Sequence, residues 1–222
     1  MQSHITAPFA FAGLFLLLPA CSLFTEVKEP AYSVQKQTKG FELRKYPSYL
    51  VAQVSVQSDF EEAGNQAFRP LFRYIDGNNR KAAKIAMTAP VNQKSESGLE
   101  EARGEQIEMT TPVNQKQTGE DTYTVQFVMP DSYTMSPLPE PLDDRITLKE
   151  EPARLMAVRQ YTGSWSRESY EENLAALQDS LAEAGLEAKG PPLWSRYDPP
   201  RTLWFLRRNE IMLEVVEKPN RP

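Results

Sequence analysis

Apolar and polar residues alternate along Phe41–Tyr46 (FELRKY) and again along Leu50–Val56 (LVAQVSV), with Pro47 and Ser48 between them. Residues two apart share one face of a strand, so the pair predicts a β-hairpin. From Asp59 to Ile75 the period lengthens. Phe60, Ala63, Ala67, Phe68, Leu71, Phe72 and Ile75 fall on one helical stripe. Ser58 or Asp59 can cap that helix, with Glu61 and Glu62 in its first turn, where negative charge suits the helix dipole. Pro70 lies inside the stripe and predicts that the helix kinks or splits there. Asp76-Gly77-Asn78-Asn79 predicts the turn that ends it.

The second half returns to the same order with a different sequence. Tyr123–Met129 (YTVQFVM) reads as a strand, and Pro130–Pro141, with four prolines, reads as an irregular crossover. Arg145–Lys149 and Arg154–Tyr161 follow as strands about a turn at Glu150-Glu151-Pro152. Ser169–Ala184 carries a helical stripe of Tyr170, Leu174, Leu177, Leu181 and Ala184, with Ser169-x-x-Glu172 as a capping box and Gly185 as its stop. A proline-rich loop containing Tyr197-Asp198-Pro199-Pro200 leads to a last strand, Ile211–Val216. Strand, strand, helix and strands, taken twice, predict an α+β fold of two pseudo-symmetric halves.

One string is nearly doubled. Lys84–Lys94 (KIAMTAPVNQK) and Gln106–Lys116 (QIEMTTPVNQK) agree at eight of eleven positions. Two copies make a local duplication, since a solenoid needs at least three units.

Composition narrows the chemistry. The 222 residues carry a net charge of −5 with no basic block, so no nucleic-acid partner is expected. The first 25 residues contain no Lys, Arg, Asp or Glu, and Phe9–Leu18 is an apolar run of signal-peptide length. It falls short of the ~20 apolar residues that a membrane-spanning helix needs. Leu18-Pro19-Ala20-Cys21 resembles the lipobox of bacterial lipoproteins, which implies lipidation of Cys21, export and an anchored, periplasmic location. Ser22 after the cysteine implies the outer membrane if the host is Gram-negative. A plain secretory signal with an incidental cysteine, or a short membrane anchor, are the alternatives. The expected organisation is a signal peptide (1–20), a lipidated tether (21–30), one domain (31–217) and a tail (218–222). A single cysteine cannot make an internal disulfide, so packing alone must hold the domain.

FELRKYP at Phe41–Pro47, AFRPLFRYIDGNN at Ala67–Asn79, KIAMTAPV at Lys84–Val91, FVMP at Phe127–Pro130, YDPP at Tyr197–Pro200 and RRNEI at Arg207–Ile211 resemble the SOUL haem-binding protein family. The resemblance covers Glu29 to Glu217. It implies a twisted antiparallel β-barrel-like sheet flanked by two helices, with a haem or related tetrapyrrole bound near the first helix and adjoining loops.

The only histidine is His4, inside the expected signal peptide. A mature chain beginning at Cys21 therefore lacks the imidazole that ligates haem in globins and peroxidases. Two routes remain. Apolar burial against Phe68, Phe72 and Met87, with Arg69, Arg73 or Arg201 paired to the propionates, is one. Ligation by Met or Tyr is the other, with Met87 and Met109 at equivalent places in the duplication and Tyr197 as a further site residue. Each has a plainer alternative. Methionine beside Ile is usually a core filler. Phe68 and Phe72 can face the core, Tyr197-Asp198-Pro199-Pro200 can be a rigid turn, and Arg207-Arg208 can pair with Glu210. No constellation suggests catalysis. The expectation is a non-enzymatic tetrapyrrole-binding envelope lipoprotein, or a module of the same fold that binds another flat apolar ligand or a partner.

Overall fold

The computed structural model describes residues 28–80, 104–136 and 138–216. The expected signal peptide, Cys21, the first copy of the duplication with Met87, and the tail lie outside them.

The first half contains β1 (Ser33–Gln37), β2 (Glu42–Tyr46), β3 (Tyr49–Gln57), α1 (Phe60–Ile75), β4 (Asn79–Arg80), β5 (Val113–Gly119) and β6 (Thr122–Val128). The second contains β7 (Glu140–Pro141), β8 (Thr147–Glu151), β9 (Arg154–Thr162), α2 (Arg167–Glu183), β10 (Glu187–Arg196), a 3-10 turn (Trp204–Leu206) and β11 (Arg208–Val216). Nine strands form one antiparallel sheet in the order β1-β2-β9-β11-β10-β5-β6-β3-β8, and β4 pairs with β7 apart from it. The sheet curls into a half-barrel. Outward from the central β10–β5 pair, β11, β9 and β2 on one side mirror β6, β3 and β8 on the other. α1 follows β3 as α2 follows β9. The expected pseudo-symmetry of two halves is thus written into the strand order.

Both helices pack on one face. Ala67, Leu71, Tyr74 and Ile75 of α1 bury against Ala52, Val54, Val125 and Phe127. Leu177 and Leu181 of α2 bury against Phe41, Ala157, Ile211 and Leu213. Strand alternation sends the neighbouring residues to the other face, where Tyr46, Met156, Val158, Leu193 and Met212 form a third cluster.

Several expectations need correction. α1 runs unbroken through Pro70. The proline removes one helical hydrogen bond, and the carbonyl it leaves belongs to Gln66, an exposed residue that water can serve. α2 starts at Arg167 rather than after Ser169, because Ser166 is the cap and accepts from the Ser169 amide at 3.3 Å. Residues 187–196, expected as part of a loop, form β10. Gly190 (φ 73°) and the two following prolines sit where the β10–β11 register shifts, so the strand absorbs them as an irregularity. β1 also escaped the pattern. All five of its residues are exposed, so it has no apolar face to read.

Among the described residues, Asn79 closes the turn after α1. Its Nδ2 donates to the Tyr74 and Glu105 carbonyls at 2.7 and 2.8 Å, and its Oδ1 accepts from the Glu105 amide at 2.9 Å. Gly104 donates to the Gly77 carbonyl beside it, and a Cβ there would stand 2.1 Å from the Asn79 carbonyl oxygen. The second copy of the duplication follows directly and ends within β5. It begins against the end of α1, where the Ile107 amide donates to the Ile75 carbonyl at 2.8 Å and Gln106 Nε2 to Asp76 Oδ1 at 3.1 Å.

Candidate functional site

Strand alternation, not the family motifs, builds the concave feature of the helix-bearing face. Trp194 of β10 and Tyr123 of β6 point up from the sheet, Phe60 comes down from the first turn of α1, and Tyr170 enters from the first turns of α2. Phe60 and Trp194 stack with centroids 4.8 Å apart and planes 15° from parallel, and Tyr170 lies 4.9 Å from Phe60. Tyr123 meets Phe60 edge-on at 6.1 Å. Together they border a cleft of about 470 Å³ between the helices, with Leu174, Pro191 and Pro192 in its walls. That volume lies within the roughly 300–1,000 Å³ of small-molecule sites.

The cleft carries one cation on its wall. Arg167 stands 5.0 Å over the Phe60 ring and donates to the Tyr123 hydroxyl at 3.1 Å. Glu171 approaches it at 3.7 Å, an exposed pairing that leaves the guanidinium open to another anion. Burial pushes the Tyr170 hydroxyl up to about 12, so it stays a neutral donor at physiological pH.

Deeper between the helices lies a second arginine. Arg196 is 8% exposed and has no carboxylate partner among the described residues. It donates to Gln115 Oε1 at 3.2 Å and lies between the rings of Trp194 (4.8 Å) and Trp165 (5.4 Å). Burial pulls its pKa down to about 10. Gly64 of α1 admits it, since a Cβ there would come within 2.2 Å of the guanidinium. Arg196 Nε, Trp194 Nε1 and the Tyr161 hydroxyl have no hydrogen-bond partner among the described residues. Two aromatic faces are thus the main support of this charge.

The residues expected from the sequence divide into three groups. Phe68 and Phe72 do come together, stacked at 5.7 Å and 12° on α1, with Phe68 edge-on to Phe127 at 5.3 Å. Phe72 is 43% exposed, and Arg69 and Arg73 on the same helix are exposed. Tyr197 lies on the opposite face of the sheet and Arg201 on an exposed loop, so the structure does not join either to the phenylalanine pair. Met87 is outside the described residues, which leaves its pairing with Met109 outside them too. Met109 is itself 37% exposed.

The Tyr197 side is a filled interior. Its void, between Tyr32, Tyr46, Tyr49, Met156, Leu193 and Met212, measures about 10 Å³, room for one water at most. The Tyr197 hydroxyl donates to Glu210 Oε2 at 2.7 Å. Glu210 is fully buried and also accepts from Arg44 at 3.0 and 3.2 Å and from Arg208 at 2.9 and 3.2 Å. Arg208 in turn holds Glu29 at 2.8 Å. Arg207 bonds the Thr202 and Pro200 carbonyls and lies 4.3 Å over the Trp165 ring. Asn209 accepts from Trp165 Nε1 and donates to the Gly163 carbonyl. In Arg207–Ile211 every polar side chain is therefore spent on the fold, and Arg208 makes the expected pairing with Glu210.

Phe60, Tyr123, Arg167, Tyr170 and Trp194 were missed as site residues. Tyr170 was visible only as part of a helical stripe. The cleft's walls come from five elements (α1, β5, β6, α2 and β10), and only their three-dimensional order brings them together.

A tetrapyrrole suits what is present by shape and charge. It is flat and apolar with two carboxylates, and the cleft offers stacked rings and a guanidinium. Among the described residues no histidine or cysteine occurs, so tyrosine and methionine are the side chains left for ligation of a metal at its centre.

A family model described as "SOUL heme-binding protein" matches residues 27–214. The protein named "Heme-binding protein 2" from Homo sapiens is 28% identical over 187 residues, covering 83% of this chain and 82% of its own. "Heme-binding protein 1" from Xenopus tropicalis is 25% identical over 183 residues, covering 79% and 87%. Among solved structures, one titled as a hydrolase from Listeria innocua superposes with a TM-score of 0.53 at 14% identity, covering 82% of this chain and 94% of its own. At that identity the likeness concerns the fold alone.

Proposed function

The chain belongs to the SOUL heme-binding protein family, and from that premise we propose that it binds haem or a related tetrapyrrole, without catalysis, in the cleft between α1 and α2. One observation carries the assignment to this cleft. It is an aromatic-walled concavity of about 470 Å³ with Arg167 on its wall. In this reading Tyr170, Leu174, Pro191 and Pro192 supply apolar contact over the buried Phe60–Trp194 stack, Arg167 pairs with a propionate, and Tyr170 donates as a neutral phenol. Bound haem would bring its iron and conjugated ring. The protein's part is to shield one face of the macrocycle and fix its carboxylates.

An absorbance titration of haem into the full chain tests this. Near-stoichiometric binding with a shifted Soret band is expected. Arg167→Gln should weaken affinity roughly 10–100-fold, the worth of one charge-assisted hydrogen bond. Phe72→Ala and Arg69→Gln should leave it nearly unchanged. The reverse pattern would move the ligand to the exposed flank of α1. Without an imidazole beyond His4, affinity should also vary little between pH 6 and 8.

The missing imidazole favours a second reading, a module of this fold that takes a different flat apolar ligand or a partner. Haem binding no tighter than that of an ordinary apolar surface, unaffected by Arg167→Gln, would select it.

The same proposal includes export and lipidation at Cys21, motivated by the uncharged, apolar first 25 residues and the Leu18–Cys21 string. Several acyl chains would make the attachment durable, since each buried methylene adds about 0.8 kcal/mol. Cys21→Ala should shift the protein from the membrane fraction to the soluble fraction, or leave the leader uncleaved. Unaltered partitioning with normal cleavage would refute lipidation.

A further inference from the structure

The loop from β10 to β11 ends in a tip that the fold holds up to solvent. Leu203, Trp204, Phe205 and Leu206 are 58, 61, 50 and 61% exposed. The other large exposed apolar residues, such as Val34, Met135 and Leu142, are scattered singly, which is ordinary for a protein surface. Four in succession are not, and such a patch marks an interaction site.

The tip does not project for want of order. The Leu206 and Arg207 amides close the 3-10 turn onto the Leu203 and Trp204 carbonyls, and Thr202 bonds back to Pro199. Arg207 ties the base through two carbonyls and the Trp165 ring. Asp198 accepts from the Arg208 amide at 2.6 Å. A braced base beneath unburied aromatic and aliphatic side chains is a preformed wedge, and none of the cleft's lining side chains belongs to it.

Two observations choose the occupant. Within Pro199–Leu206 the one charged side chain is Arg201, which is exposed, whereas Arg207 and Arg208 are held by the fold. An apolar tip with an exposed arginine at its base suits the boundary between acyl chains and anionic headgroups. The described chain also enters beside this loop, since Glu29 pairs with Arg208 at 2.8 Å. Six residues separate Cys21 from Lys28, so the seven steps between them reach at most about 25 Å. An anchor at Cys21 would therefore bring this end of the domain to the lipid.

We propose that Leu203–Leu206 is a lipid-insertion tip that seats the domain on a phospholipid surface with the β10–β11 end down. The wedge and Arg201 stand by themselves, while the orienting role of the tether rests on the lipidation reading above.

The test uses the full chain in phosphatidylethanolamine–phosphatidylglycerol vesicles with brominated acyl chains, read by tryptophan fluorescence. The chain has three tryptophans, and Trp165 and Trp194 are held within the fold. Bromolipid quenching is expected in the parent and should largely vanish in Trp204→Phe, which keeps the tip apolar. Equal quenching in both, or none in either, overturns the proposal. Cys21→Ala separates the two readings. Quenching that depends on Trp204 but survives Cys21→Ala upholds the tip without the anchor. Vesicle attachment that depends on Cys21, with Trp204 unquenched, upholds the anchor and defeats the tip. If Trp204 is shielded from aqueous quencher only in whole envelopes and never in pure lipid, the occupant is a protein and the lipid assignment fails.

Discussion

Glu210→Gln lowers the stability of the domain by about 3–5 kcal/mol, the usual cost of removing one partner from a buried ion pair. Its carboxylate is fully buried and receives two bonds from Arg44, two from Arg208 and one from Tyr197. Burial opposes the charge on Arg44, but Glu210 and Tyr46 outweigh it and raise its pKa. Tyr197 is raised well above its usual value by burial and then by Glu210. An amide removes the anion these groups share and turns an NH2 toward donors. Among the described residues, the one carboxylate left to Arg44 is then the partly exposed Glu42 at 2.8 Å, and the one left to Arg208 is Glu29. Against a total stability of roughly 5–15 kcal/mol, the loss is large. For a domain of this size the melting midpoint should fall by about 6–20 °C. Haem affinity measured well below the new midpoint should not change, because the cluster lies on the sheet face away from the cleft. A loss under about 1 kcal/mol in urea titrations would show that the network is not a lock.

That cluster also explains what the most recognisable strings do. Arg44 belongs to FELRKYP and Glu210 to RRNEI, 166 residues apart. They meet because β2 and β11 both flank β9. The sequence could suggest that Glu210 pairs with a neighbouring arginine, and Arg208 does so. It could not point to Arg44, since that contact depends on strand order. Arg44, Tyr197 and Glu210, from three of the strings that identify the family, thus secure its sheet.

The helices and the long strands were legible because burial on one face leaves a period in the sequence. Of the stripe expected of α1, Phe60, Ala63, Ala67, Leu71 and Ile75 are buried, Phe68 is half-buried and Phe72 is exposed. Legibility failed where burial did not follow that rule. β1 has no buried side, and β10 hides a strand behind Gly190-Pro191-Pro192. The candidate site was harder for a geometric reason. Arg196 and Tyr197 are adjacent, yet one points beneath α1 and the other into the filled interior, because successive strand residues face opposite ways. A motif read as one block, as Tyr197-Asp198-Pro199-Pro200 was, hides that division.

Trp194→Ala is expected to cost about 3–5 kcal/mol, the range for a large aromatic removed from a core. Trp194 is 1% exposed, stacks on Phe60 and meets Tyr170 at 5.8 Å, so the helical core and the cleft lose the same wall. Arg196 should push the value toward the top of the range. Burial works against its charge and pulls its pKa down. Two ring faces and one bond to Gln115 oppose that cost, which leaves the arginine near balance. Arg196→Met alone should therefore be neutral within about 1 kcal/mol. With Trp194 gone the offset is incomplete, and Trp194→Ala/Arg196→Met should recover roughly 1–2 kcal/mol relative to Trp194→Ala. Denaturant titrations of the four proteins close this cycle. Strict additivity of the two substitutions would mean that the ring does not support the cation. If Trp194→Phe restores stability while haem affinity stays low, the indole contributes to the cleft beyond its share of the core.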